Sequence, residues 1–244
     1  MTFPYQHDKE LFSNQNFLNS SVRVDEITLS FVVIAGHFGE RQVVLSVIGE
    51  GPQNAARATE ALLGTVALSG VVVVGVAGGL TSDLQPGALL VGREVLADDA
   101  KAPPPDPRWL ARIPDDPATY RGTIVSRSSM LCTRESKESV RARLRLGGAA
   151  AVDLETATVA EVAASRGVSY IAVRAISDTA GESLPLDFNR FRDDSGRIDR
   201  FRVARHSLLR PGLVAPLWRL RRRVSLCAEN LARLIVPLLQ GGSR

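Results

Sequence analysis

The sequence predicts an α/β layer fold with a mixed sheet. Two observations carry this: β-branched apolar runs of strand length alternate with segments of helical period, and the first two runs are joined at hairpin length. ITLSFVVIAG and QVVLSVIG, linked through HFGER, are the hairpin. In GEGPQNAARATEALLG, residues Ala55, Ala58, Thr59, Leu62 and Leu63 share a helical face, and Gly64 is placed to end the helix. GVVVVGVAGGL is too short for a membrane span and too β-branched for a favoured helix. It reads as a strand buried on both faces that breaks into a glycine loop.

GALLVGREVLAD is the next strand. From Asp99 to Arg121 the prolines at 103, 104, 105, 107, 114 and 117 deny regular structure, so an excursion or lid is expected. GTIVS then resumes a strand, and a charged helix covers Ser136–Arg145 before Gly147 and Gly148. Thr156 to Arg166 reads as a helix with Val159, Ala160, Ala163 and Ala164 inward and Gly167 beyond its end; VSYIAVRAIS follows as a buried strand. In the tail, Leu220, Val224, Cys227, Leu231, Leu234 and Leu238 form one apolar helical stripe, which Pro237 is expected to terminate.

Composition narrows the class. At 244 residues, 45% hydrophobic and 23% charged, the chain can bury a large core and has the balance of a globular protein. No run approaches the roughly 20 apolar residues of a membrane span, and MTFPYQHDKE lacks the features of a signal peptide, so a cytoplasmic protein is expected. Cys132 and Cys227 have no metal-ligand spacing and read as free thiols. The net charge of +4 is uneven, with arginines crowded between Arg190 and Arg223. That crowding fits a membrane surface or acidic partner, and equally a solvated helical face. A nucleic-acid binder is disfavoured because the basic residues lack interleaved aromatics. A dinucleotide site is disfavoured because GEGPQNAA lacks the third fingerprint glycine.

Three segments carry candidate chemistry. Gly49–Ala56 is a glycine turn entering a helix. Gly75-Val76-Ala77-Gly78-Gly79 ends a strand, where glycines let a ligand approach backbone N–H groups. Ala151–Ala157 and Arg174–Ala180 bring Glu155 to a helix start and Asp178 just past a buried strand. A carboxyl at a strand end is commonly desolvated, whereas a helix start favours the carboxylate, so the two suit a proton donor and an ionised acceptor. Taken singly, each segment also reads as ordinary turn and cap chemistry.

In order and spacing these segments resemble the purine nucleoside phosphorylases and the methylthioadenosine/adenosylhomocysteine nucleosidases, over roughly residues 28 to 185. VDLETATVAEVA followed by YIAVRAISDTA is similar to that family's V-x-M-E-x-A and R-x-I-S-D segments, with GVAGGL and GEGPQNAA in support. The resemblance implies a three-layer α/β/α sandwich with a partly barrel-like mixed sheet over 1–185, an Arg-rich helical extension over 186–244, and a homodimer. It implies purine N-glycoside cleavage through an oxocarbenium-like transition state, with no cofactor and no metal.

By the same resemblance Asp178 protonates purine N7 and Ser177 holds that carboxyl. Glu155 grips the ribose hydroxyls, Leu154 packs beneath the sugar, Met130 stands at the base-stacking position, and Val76, Ala77 and Gly78 line the pocket. Asp178→Asn is then expected to cripple turnover with little loss of stability. The phosphorylases' phosphate-binding Arg and Ser are replaced by Val73 and Val76, which favours water as nucleophile over phosphate. The N-terminus departs from the family's acidic strand, and Asp8 is the nearest candidate for activating that water. A degenerate nucleoside-binding protein is the alternative from another class.

SLPLDFNRFRDDSGRIDRFRVARHSLLRPGLVAPLWRLRRRV is similar to the hopanoid-associated members, which release adenine from an adenosyl-linked triterpenoid lipid. That similarity implies a tail at an anionic membrane face; the competing reading lays the helix on the domain's own sheet or on a dimer partner. Trp218 is an interfacial anchor or a core residue, and His206 a surface side chain.

Overall fold

The computed structural model describes residues 32–38, 41–193 and 196–240. Strands β1 (Val32–Phe38) and β2 (Arg41–Val47) form the expected antiparallel hairpin, a separate two-stranded sheet; residues 27–31 of the predicted run lie outside the described residues. Helix α1 (Pro52–Thr65) carries proline in its first turn, where a missing N–H costs nothing, and buries Ala55, Ala58 and Thr59. Gly64 does not end it. The helix runs to Thr65 and stops where Val66 turns extended.

β3 (Val71–Gly79), β4 (Leu89–Ala97), β5 (Ala100–Lys101), β6 (Thr119–Ser126), β7 (Ala150–Asp153) and β8 (Tyr170–Asp178) form the main sheet in the order β5-β4-β6-β7-β3-β8. Antiparallel pairing of Leu89–Val91 with Val173–Ala175 joins β4 back to β8, closing five strands into a mixed barrel. The expected barrel-like α/β architecture is present. Around it lie α2 (Pro107–Leu110), α3 (Arg134–Arg143), α4 (Thr156–Ser165), α5 (Arg200–Leu208) and α6 (Val214–Gln240).

β8 explains the arrangement best, because every one of its residues is buried. Side chains alternate across a strand, so Ala172 and Ile176 join the core with Ala157, Val159, Ala160 and Ala163 of α4. Ile171, Val173 and Ala175 take the other side against Cys227, Leu231, Leu234 and Leu238 of α6. Burying each leucine of this stripe contributes roughly 1.5–3 kcal/mol, which seats the tail helix on the barrel. Both cysteines are free and buried, and burial pushes the Cys227 thiol up to about 11.

Several expectations are corrected. β3 is not buried on both faces: Val73 and Ala77 sit in the core, but Val74 and Val76 are each 40% exposed. Ala164 points outward, because Ala157 and Thr156 complete the inner face of α4 instead. The 99–121 excursion holds β5, α2 and the start of β6, and it is anchored rather than loose. Asp106 N–H donates to Tyr170 O at 2.8 Å, the Tyr170 hydroxyl donates to Pro103 O at 2.5 Å, and Ile113 is buried. Pro237 lies inside α6, which continues to Gln240. Leu220 and Val224 leave the buried stripe and line a cavity.

Trp218 is 58% exposed, with Arg222 stacked 4.9 Å from its ring, so it is not a core residue. His206 packs edge-on against Phe191 at 5.2 Å. Among the described residues no helix is long and apolar enough to cross a membrane.

Candidate active site

Parallel strands β3 and β8 end together, with Gly78 in register with Asp178. Carboxyl ends of parallel strands leave backbone groups and side chains free to meet a ligand. A Cβ at Gly78 would lie 3.1 Å from Asp178 Oδ2, so only glycine admits the carboxyl this close to β3 without displacing it. Asp178 is 6% exposed. Ser177 Oγ lies 2.6 Å from its Oδ1 and 3.3 Å from Ala77 O. Its Oδ2 accepts from the Lys137 ammonium of α3, which is 1% exposed.

Glu155 stands between β7 and α4. Its Oε1 accepts from Gly51 N at 2.8 Å. Gly51 has φ 90°, a left-handed conformation that glycine adopts freely, and this aims its N–H at the carboxylate. The glycine turn and the glutamate, read separately in the sequence, thus form one unit. The net effect of the site on the Glu155 carboxyl is upward from its ordinary value. Burial pushes its carboxyl up, the Arg174 guanidinium 3.5 Å away draws it down, and Asp153 pushes it up again.

Beneath Glu155 lies a buried polar cluster. Arg174 donates to Asp153 Oδ2 at 2.6 Å and to Thr156 Oγ1 at 2.9 Å, while Ser126 Oγ donates to Asp153 Oδ1 at 2.5 Å. Ser126 Oγ in turn accepts from Ala157 N at 2.9 Å, fixing the first turn of α4.

These groups open on one cavity of about 1430 Å³, lined by Val76, Ala77, Gly78, Met130, Leu154, Glu155, Ser177 and Asp178. Every predicted site residue within the described chain therefore faces one space; Asp8 lies outside the described residues. Met130 is held by its backbone, donating to Asn189 Oδ1 and accepting from Asn189 Nδ2, each at 2.9 Å. Val73 is buried, and Val76 presents only methyl groups, so neither position offers an anion a donor. Val72, Val74, Trp109, Leu220, Val224 and Ile235 also line the cavity, together with Arg108 and Arg112.

Sequence reasoning missed Lys137, Arg174, Asp153 and Ser126 as participants. Arg174 had a signal: a lone charge in the apolar strand VSYIAVRAIS must be buried and so needs a buried partner. Lys137 had none, since a lysine on a charged helix reads as solvated and its partner is 41 residues away.

The tail helix reaches this site through Glu182. Arg223 donates from Nη1 to Oε2 at 2.9 Å and from Nη2 to Oε1 at 3.0 Å, and Thr179 N also donates to Oε2 at 3.1 Å. The Arg223 hydrogen bond is the main reason the Glu182 carboxyl falls from 4.5 to about 2. A carboxyl depressed on folding stabilises above its unfolded value and loses that contribution as pH falls through its folded value. Stability should therefore drop between pH 4.5 and about 2, and by less in Arg223→Met, as urea melts of both proteins across that window would report. Equal acid sensitivity in the two proteins would disprove the Arg223–Glu182 pair as its cause.

The chain matches the Phosphorylase superfamily over residues 8–208. The 5′-methylthioadenosine/S-adenosylhomocysteine nucleosidase of Oceanobacillus iheyensis is 29% identical over 184 residues, 66% of this chain and 79% of that protein. That of an Exiguobacterium species is 28% identical over 191 residues, 69% and 81% of the two chains. The S-adenosylhomocysteine nucleosidase of Streptococcus pyogenes, in complex with 5-methylthiotubericidin, shares the fold at a TM-score of 0.71 and 17% identity, covering 98% of this chain and 94% of that one. The Neisseria meningitidis nucleosidase in complex with methylthio-immucillin-A shares it at 0.68 and 19%, covering 87% of each.

Proposed function

Because this chain belongs to the phosphorylase superfamily, we propose that it is a purine nucleosidase, hydrolysing the N-glycosidic bond of an adenosine-like nucleoside. The observation that carries this reading is the facing pair of carboxyls in one cavity, Asp178 at the end of β8 and Glu155 at the start of α4. Asp178 passes a proton to purine N7, so that the base departs as a neutral species. Glu155 accepts hydrogen bonds from the ribose hydroxyls, and its negative charge lies where the sugar becomes cationic. In a site screened from water, preorganised charge of this kind is the largest single contribution to such a transition state. Leu154 packs beneath the sugar and Met130 against the base.

Water is the nucleophile in this reading, since Val73 and Val76 supply no phosphate donors. Asp8 is the carboxylate assigned to activating it; that assignment rests on the resemblance alone.

The substrate carries an apolar 5′ group, an adenosyl lipid being the fullest case. Two features support this. The cavity exceeds the roughly 300–1,000 Å³ usual for small-molecule sites, and its lining includes Trp109, Leu220, Val224 and Ile235. In the tail, Phe201, Leu208, Leu209 and Trp218 are exposed near the arginines of α5 and α6 in the chain, a composition suited to an anionic membrane face.

Adenine release, followed by chromatography from adenosine, methylthioadenosine and a 5′-long-alkyl adenosine, with and without phosphate, tests both parts. Release without phosphate, with kcat/KM rising along the 5′ series, is the expected result. Release only with phosphate would make it a phosphorylase, and adenine binding without any release would make it a binding protein.

A further inference from the structure

The buried lysine beside the catalytic acid is unused by the mechanism above. Lys137 lies on α3, whose start is fixed by a capping box between Thr133 and Ser136. Its ammonium has three hydrogens and three acceptors: Asp178 Oδ2, Thr179 O at 2.7 Å and Glu182 O at 3.0 Å. Asp178 Oδ2 accepts from Lys137, while Ser177 Oγ lies 2.6 Å from Oδ1 and 3.3 Å from Ala77 O. Lys137 thus brings a transferable proton directly to the carboxyl that faces the base.

We propose that the acid of this site is the Lys137–Asp178 pair, with Lys137 a positioning residue that supplies the proton Asp178 relays to the leaving base. This rests on the nucleosidase reading. As C1′–N9 breaks, its electron pair goes to the purine. One proton moves from Lys137 Nζ to Asp178, and Asp178 gives one to N7. The base leaves neutral, Asp178 is again a carboxylate, and Lys137 is an amine. The water oxygen bonds C1′, and the proton it sheds restores the ammonium, so no net proton is consumed.

The environment suits a relay more than a plain counter-ion. The nearby Glu182 carboxylate is engaged by Arg223 and Thr179 N, so Asp178 is the carboxylate that takes a proton from Lys137. Two backbone carbonyls, Thr179 O and Glu182 O, fix the ammonium on its remaining sides.

The test compares wild type with Lys137→Arg, whose guanidinium preserves the charge beside Asp178 but does not give up a proton. Two substrates are used: methylthioadenosine, and the 5′-methylthio riboside of 4-nitrophenol, whose phenolate leaves unprotonated. Adenine release should fall about 100-fold in kcat, the scale of general acid catalysis, with KM changed less than about threefold. Nitrophenol release should fall by less than about threefold. Equal losses on both substrates would reduce Lys137 to a structural residue, and an unchanged adenine rate would exclude the relay outright.

Wild type alone supplies a reading that needs no variant to fold. Single-turnover adenine release in mixtures of H₂O and D₂O should depend on deuterium fraction with the curvature of two protons in flight, and a straight line would refute the relay. A wild type that frees no base from methylthioadenosine would instead count against the nucleosidase reading itself.

Discussion

Replacing Asp178 by asparagine is expected to lower purine release by roughly 10²–10⁴-fold, the range for loss of a positioned general acid. The amide keeps the size and one acceptor of the carboxyl, so base binding and KM should change little. The sequence alone suggested little loss of stability as well, but the structure argues otherwise. Asp178 is the counter-ion of Lys137, and removing one partner of a buried pair commonly costs about 3–5 kcal/mol. Lys137 retains Thr179 O and Glu182 O, which places the loss at the lower end, about 3 kcal/mol. Urea melts with chromatographic assays of base release below the transition would separate the two effects. Adding Lys137→Met to the variant should recover part of the stability, since no orphan charge remains, without recovering activity. Full activity in Asp178→Asn would remove this residue from the mechanism.

The second large effect is at Arg174. Arg174→Met should cost about 3–5 kcal/mol, because Asp153 loses a buried cation 2.6 Å away. Its functional consequence follows from Glu155. Burial and Asp153 already push that carboxyl up, and Arg174 alone of the nearby side chains draws it down. Without Arg174, Glu155 stays protonated to higher pH and loses its negative charge opposite the sugar. The limb of kcat/KM that rises as Glu155 ionises should therefore move to higher pH. An unshifted limb, in a variant shown to be folded, would mean that Glu155 does not need its charge. The paired variant Arg174→Met with Asp153→Asn should be more stable than Arg174→Met alone, because neighbours sharing one ion pair do not add.

Much of the fold was legible because its signals are local. The β-branched runs became β3, β4 and β8, and Val159, Ala160 and Ala163 took the inner side of α4 as their spacing predicts, with Ala157 there in place of Ala164. The misreadings have local causes too. Gly64 and Pro237 are punctuation marks that a helix near its end can absorb, and the proline-rich excursion, expected without regular structure, holds β5 and α2 and is tied down by Asp106 and Tyr170.

By itself the sequence determined the strand and helix order, the buried character of β8 and the two candidate carboxyls, since these follow from spacing and side-chain type along neighbouring residues. Tertiary structure decided what each charge faces. Lys137 meets Asp178 across 41 residues and Glu155 meets Gly51 across 104, contacts created when the barrel closes and the helices pack against it. Burial and the nearest opposite charge govern how a carboxyl holds its proton, and both are properties of three-dimensional neighbours, which no local spacing encodes.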